Sequence, residues 1–361
     1  MVRELGIGGC ERDLTKLAKG LDRARFEPHV GCFQENSLRS QELRAAGIPI
    51  VRFPVGSFGS WSALAGARQM GAYLRAHRIG LVHAFDTPTD IFAAPAARAY
   101  GVPVITSHLS YRILAPPLHR FLLRLTDRLS SAMVVNSKAV RLDLEQEKIS
   151  PERIHLCYNG VETEIFYPRA GPRPAILNGA SLVIGSVCAL RPEKRMDLLL
   201  RAFAQVRRRQ PGMKLLIVGS GPMQPALEAL RRDLALEQDC ILEPAKVEVA
   251  DWMRAMDIFV LSSSSESFPN ALLEAMACGC CAIGSDVGGV GELIEHQRSG
   301  LVFQSGNVDG LAESLLQAID RKSWRQQMGQ AAARRAREKF SMEIAVGTMQ
   351  TIYDTVLHSH L

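Results

Sequence analysis

The segment "DIFVLSSSSESFPNALLEAMACGCCAIGSD", residues 257–286, reads as strand, polar loop, short helix and strand. Ile258–Leu261 and Cys281–Ile283 are apolar without alternation, the pattern of strands covered on both faces. "NALLEAMA" between them has no Gly or Pro and suits a helix. Strand, crossover helix and strand make a βαβ unit, and βαβ units build parallel sheets.

The same alternation runs through the whole chain. Upstream lie "LVIGSVCAL" (182–190), "KLLIVGSG" (214–221) and "CILE" (240–243), and downstream "GLVF" (300–303). An earlier series comprises "EPHVGCF" (27–33), "IPIVRF" (48–53), "GLVHAF" (80–85), "VPVITSH" (102–108), "AMVVNS" (132–137) and "RIHLCY" (153–158). Two series of βα units predict an α/β protein with two Rossmann-like, doubly wound parallel-sheet domains. "YNGVETEIFYPRAGPRPA" (158–175), with Asn-Gly and three prolines, reads as the join. The expected division is 1–165 and 166–340, with a Ser-capped helix in 341–361. Ligands of open α/β sheets bind beyond the carboxyl ends of the strands, so a cleft between facing domains is the expected site.

Composition narrows the partners. The net charge of +6 is uneven: residues 1–165 carry 21 Lys+Arg against 16 Asp+Glu, and the remainder 22 against 21. A mild positive bias in the first half suits an anionic partner or simply a solvated surface. No basic run is dense enough for nucleic acid. The eight cysteines form no CxxC pair and read as small buried hydrophobes in a reducing cytoplasm, not as metal ligands. No signal peptide and no run of 18 apolar residues is evident.

Candidate site residues cluster where strands end. Arg191 and Lys194, in "LRPEKRMDLLLRAF", follow a strand and precede a helix whose dipole disfavours cations, so a diphosphate partner gives them a reason to be there. Gly219 and Gly221 allow close backbone approach to a flat ligand, or form a plain turn. Pro269 and Asn270 open a helix whose free N–H groups, with those of Phe268 and Ala271 nearby, suit phosphate or sugar oxygens. Glu274, four residues past Asn270, leans to the same side and suits paired ribose hydroxyls, with Glu266 at the other end of the ligand. His108 ends a first-domain strand, facing a cleft or held in the core; His83, in mid-strand, reads as structural.

Arg-Pro-Glu-Lys, Gly-x-Gly-Pro, Glu-x7-Glu and Gly-Gly-x-x-Glu-Leu-Ile, in that order, resemble the family 4 glycosyltransferases, as do "GIGGCERDL" (6–14) and "NGVETEIFYP" (159–168). The resemblance implies a GT-B fold and sugar transfer from a nucleotide diphosphate donor with retention, no essential metal and no other cofactor. It implies Arg191 and Lys194 on the diphosphate, Glu274 on the ribose, and Glu266 with the 268–271 backbone on the donor sugar. It places Gly8 and Gly9 near the reacting phosphate and His108 near the transferred sugar. The acceptor would be a glycan or lipid-linked, and the enzyme cytoplasmic, at or near the inner face of the cell membrane. Nothing near the hinge is an obvious nucleophile, which favours same-face attack over double displacement. An epimerase on the same fold and a non-catalytic nucleotide-sugar binder are the competing readings.

Ala189 stands where many relatives carry Arg, and Ser267 where many carry Gly. Only Met1–Leu5 precede the first glycine loop, and Arg3 and Glu4 do not suit the centre of a parallel sheet, so the first strand is expected to be missing or its start misplaced. "PPLHRFLLRLTDRLS" (116–130) repeats Arg at 120, 124 and 128 beside Leu118, Phe121, Leu122, Leu125 and Leu129. It reads either as a packed helix with a basic outer face or as a helix that docks on an anionic bilayer.

Overall fold

The computed structural model describes residues 1–6, 8–35, 38–169 and 171–359. The chain forms two compact units, Met1–Gly160 with Met342–Leu361, and Val161–Ser341. The divisions lie at 160/161 and 341/342, against the 165/166 and 340/341 read from the sequence.

In the first unit the strands are β1 (Val2–Glu4), β2 (Val30–Gln34), β3 (Ile50–Arg52), β4 (Val82–Ala84), β5 (Val104–His108), β6 (Ala132–Val135) and β7 (Ile154–Leu156). Its helices are α1 (Gly9–Gly20), α2 (Leu38–Ala45), α3 (Trp61–Ala76), α4 (Thr87–Arg98), α5 (Pro117–Thr126) and α6 (Lys138–Gln146). All ladders are parallel, in the orders β1-β2-β3 and β4-β5-β6-β7. Met1 joins the two runs: its amine donates to the His83 carbonyl, and Phe85 N–H donates to the Met1 carbonyl at 2.9 Å. β1 therefore lies between β2 and β4.

The expected loss of the first strand is thus corrected. The strand is present but short, with Val2 and Leu5 fully buried. Arg3 and Glu4 avoid the sheet centre because they lie at its carboxyl edge: Glu4 pairs with Gln34, and Arg3 N–H donates to Asp86 at 2.6 Å. A cavity of about 380 Å³ beside Met1 is lined among others by Gly31, Met70, Leu74, Val82 and Tyr353. Burial pulls the Met1 ammonium down to about 6.

The C-terminal helix, Met342–His358, packs against α1 in this unit and gives Val346, Met349, Ile352 and Val356 to the same core as Leu14 and Leu17. Tyr353 on that helix bonds His83 Nδ1 at 2.8 Å, while His83 Nε2 meets Ser107 Oγ at 2.7 Å. This buried bridge across β4 and β5 gives His83 its structural role.

In the second unit the strands are β8 (Leu182–Val187), β9 (Met213–Val218), β10 (Cys240–Glu243), β11 (Ile258–Leu261), β12 (Cys281–Ser285) and β13 (Gly300–Phe303). The helices are α7 (Met196–Val206), α8 (Gln224–Asp233), α9 (Ala250–Arg254), α10 (Asn270–Ala277), α11 (Val290–Leu293), α12 (Val308–Asp320) and α13 (Lys322–Phe340). The sheet is parallel throughout, in the order β10-β9-β8-β11-β12-β13. That is the doubly wound order whose direction reverses between β8 and β11, and ligands sit beyond the strand ends at such a reversal. Leu198, Leu199, Ala202 and Phe203 of α7 are fully buried against it, the larger side chains contributing roughly 1.5–3 kcal/mol each.

Candidate functional site

The carboxyl ends of β8 and β11 carry the decisive contact of the second unit. After β8 the chain runs to Arg191, makes a single 3-10 turn over Pro192–Lys194, and enters α7 through Arg195 in left-handed backbone (φ 49°). The serine-rich loop after β11 is tied to that turn. Ser264 N–H donates to Glu193 O at 2.8 Å, and the Ser262 hydroxyl lies 3.0 Å from the carbonyls of both Lys194 and Arg195. Ser285, at the end of β12, donates to Ser263 O at 2.6 Å. So fixed, Lys194 Nζ meets Glu266 Oε1 at 2.6 Å, and Ser263 Oγ donates to the same oxygen at 2.7 Å. Both partners are mostly shielded from solvent, which strengthens the pair relative to a surface one.

Arg191 stands exposed at the mouth of the turn, three residues from Lys194. Glu274 is 3% exposed in α10, which rules out a solvated helix residue. Pro269 is the residue before α10 rather than its first, and Asn270 begins the helix. The Phe268 ring turns into the interior, 5.6 Å from Phe340, so this residue offers only backbone to a ligand. Ala271 follows in the first turn of α10.

The two glycines pack closely on the loop after β8. A Cβ on Gly221 would lie 2.5 Å from Leu190 O and 2.9 Å from Leu190 N, and one on Gly219 would overlap the Cys188 carbonyl. Their smallness lets the end of β9 pack on the loop after β8, whatever else approaches them. That packing fixes the stretch leading into Arg191, with Met223 N–H donating to Leu190 O at 3.0 Å.

In the first unit Gly8 caps α1 and Gly9 begins it; both are exposed, and no side chain caps the helix. His108 lies at the end of β5 but is only 5% exposed. Its Nε2 accepts from Arg112 Nη2 at 3.3 Å and faces Thr106 Oγ1 at 3.4 Å. Burial, then the Arg112 charge, hold its pKa well below the ordinary histidine value, so the ring is neutral at pH 7 with its proton on Nδ1. Arg112 is itself clamped by Asp127 in two bonds of 2.6 and 2.7 Å, both side chains buried. His108, read as facing a cleft or held in the core, is thus buried and engaged by a buried ion pair. That pair, and the serines at 262, 263 and 285, went unremarked in the sequence. Four consecutive serines after a buried strand were the available signal for Ser262 and Ser263.

Residues 7–165 match the family described as Glycosyltransferase Family 4, and residues 173–335 that described as Glycosyl transferases group 1. The chain belongs to the family 4 glycosyltransferases. Among its relatives, N-acetyl-alpha-D-glucosaminyl L-malate synthase of Bacillus anthracis is 30% identical over 215 residues, 58% of this chain and 56% of that protein. D-inositol 3-phosphate glycosyltransferase of Kribbella flavida is 31% identical over 219 residues, 57% of this chain and 51% of that protein. The chain thus spans about half the length of the curated relatives it matches. HepE of Anabaena, solved in complex with UDP, shares the fold with a TM-score of 0.83 at 22% identity over 100% of both chains. The GT-B fold class read from the sequence is the one observed in its two parallel-sheet units.

The structure brings Lys194 and Glu266 into contact and places Arg191 beside them along the chain. Gly8, Gly9 and His108 belong to the other unit. Among the described residues no helix is long and apolar enough to cross a membrane, and no cluster of three metal-ligating side chains occurs.

Proposed function

We propose that the protein transfers a hexose from a nucleotide diphosphate to a glycan or lipid-linked acceptor in cell-surface polysaccharide or glycolipid synthesis, with retention of configuration. The Lys194–Glu266 pair at the strand reversal supports this reading most directly. Lys194 has donors beyond the one given to Glu266, and with Arg191 it offers two cations to a diphosphate. Negative charge grows on the leaving phosphate as the anomeric bond breaks, and preorganised cations stabilise that charge more than they stabilise the ground state. Glu266, anchored by Lys194 and Ser263, keeps its other oxygen for a sugar hydroxyl. Glu274 and the first N–H groups of α10 serve ribose and phosphate, and the glycine-opened α1 approaches the reacting phosphate.

His108 acts here as a neutral hydrogen-bonding group, not as an acid, because Arg112 occupies its Nε2. Same-face attack, with the departing phosphate taking the acceptor proton, requires no protein nucleophile. The two cations supply the charge a metal would otherwise bring. The protein acts in the cytoplasm. UDP in the HepE complex makes UDP-sugars the first donors to test.

The test is product analysis with UDP-, GDP- and ADP-sugars, each with and without acceptor. Transfer, or slow hydrolysis to sugar and nucleoside diphosphate, supports the proposal. Conversion of the donor to an isomeric nucleotide sugar without acceptor supports the epimerase, and tight binding with no turnover the non-catalytic binder.

A further inference from the structure

Among the described residues, the first unit carries an apolar surface that no element of that unit covers. On α5 the buried positions are Leu123 and Thr126, facing α4. Leu118 (65% exposed), Phe121 (58%), Leu125 and Leu129 point outward instead, with Leu122 half-buried beside them. The packed-helix reading of residues 116–130 would have buried this row.

The surface is wider than the helix. Ile113 and Leu114, in the 3-10 turn just before α5, are both exposed. The loop before α3 reaches α5 through Phe58, whose ring meets that of His119 at 5.9 Å. Three residues on, α3 begins with Trp61, 85% exposed, and Leu64 and Arg68 follow on the same helical face. Large apolar side chains gathered this way on a soluble surface mark an interaction site.

Charge selects the occupant. Residues 54–126 hold seven Arg, no Lys, and only Asp86 and Asp90 as acids. Asp86 caps α4 and Asp90 is buried, so neither faces this surface freely. Arg120, Arg124 and Arg128 border the apolar row, and Glu147, 3.7 Å from Arg124, is the acid beside them. A protein partner's apolar patch would need no such arginine border, whereas an anionic bilayer matches both features.

We infer that α5, the Ile113–Leu114 turn and the Trp61–Leu64 start of α3 form one membrane-docking face, with the apolar residues at the acyl boundary and the arginines among anionic headgroups. Trp61 is the interfacial anchor, its ring apolar and its N–H wet. The inference deepens the lipid-linked-acceptor reading, since such a face would hold the enzyme where that acceptor resides.

Flotation of the full chain uses phosphatidylcholine vesicles with and without about one-third phosphatidylglycerol, at low and high salt. The expected result is binding to anionic vesicles that weakens with salt, with a blue shift of Trp emission that Trp61→Phe removes. Leu118→Ser/Phe121→Ser/Leu125→Ser alters only exposed positions and should abolish binding with no loss of Tm. Arg120→Gln/Arg124→Gln should weaken it roughly 30-fold, at about fivefold for each arginine. Absence of binding at low salt overturns the inference, as does binding untouched by the triple variant. So does a concentration-dependent dimer that the triple variant abolishes, because a second copy would then be the occupant. Flotation needs neither donor nor acceptor. A chain that floats but transfers nothing therefore keeps this face and loses the proposed activity, and one that transfers to a soluble acceptor but never floats does the reverse.

Discussion

Gly221→Ala is a single-atom perturbation that should reach the donor site without touching a charged residue. The new methyl would lie 2.5, 2.8 and 2.9 Å from O, C and N of Leu190, all backbone atoms that cannot rotate away. Ordinary contact distances are near 3.5 Å, so relief requires the two loops to separate by roughly 1 Å. That separation strains the bonds from Leu190 N–H to Ser220 O and from Met223 N–H to Leu190 O, both 3.0 Å. Overpacking of about 1–3 kcal/mol plus about 1 kcal/mol of weakened hydrogen bonding gives a destabilisation of about 2–4 kcal/mol. For a unit of this size that lowers Tm by about 4–16 °C. Because Leu190 leads directly into Arg191, nucleoside diphosphate affinity should fall as well. Scanning calorimetry reads the first effect and titration calorimetry the second. Gly291→Ala, whose Cβ would meet nothing within 4 Å, is the control and should leave both unchanged or slightly raise Tm. A Gly221→Ala protein with wild-type Tm and affinity would show that the two loops are not packed as described.

Asp127→Asn weakens both of its bonds to the buried Arg112 guanidinium, which keeps Glu147 at 3.2 Å, and should cost up to about 3–5 kcal/mol by chemical denaturation, whereas Arg209→Gln at the surface should leave the midpoint unchanged. The first unit should lose stability as pH falls from 8 to 6. There the unfolded Met1 amine binds a proton that the folded one, at about 6, largely refuses, a loss of about 2 kcal/mol across that window. His83 and His108, held well below their ordinary value by burial, extend the loss below pH 6.5. Asp90 works oppositely: burial, then the Asp86 charge, raise its pKa, so the folded state keeps a proton that the unfolded one releases as pH rises above 3.8. Denaturation midpoints across pH 5–8 check the signs, and Asp90→Asn should steepen any part of the profile that Asp90 flattens.

Both sheets were legible in the sequence because parallel strands covered on both faces leave uninterrupted apolar runs such as 182–187 and 258–261. The first strand was not. A three-residue strand carries almost no periodicity, and Arg3 and Glu4 look disqualifying until Asp86 and Gln34 are seen beside them. Lys194, Glu266 and Glu274 stood out because charges next to buried strands and helices call for a reason; the structure brings the first two into contact and buries the third. The purpose of Gly219 and Gly221 was not legible, since sequence shows that a backbone must pass closely but not what it passes. His108 was visible as a strand-end histidine. Its neutral state was not, because it depends on Arg112 and Asp127 meeting across a turn and a helix. Residues 118–125 showed their amphipathic period plainly, but period alone does not say which side a helix buries.

On the proposed function, Lys194, held by Glu266 between the ends of β8 and β11, receives the donor's diphosphate. Titration calorimetry of wild type, Lys194→Met and Glu266→Gln with the nucleoside diphosphate that binds wild type tests it most directly. Lys194→Met should lose about 1.5–3 kcal/mol of binding, roughly 10- to 150-fold. Glu266→Gln should keep most diphosphate affinity while weakening binding of the sugar-bearing donor. Diphosphate binding by Lys194→Met equal to wild type would contradict it.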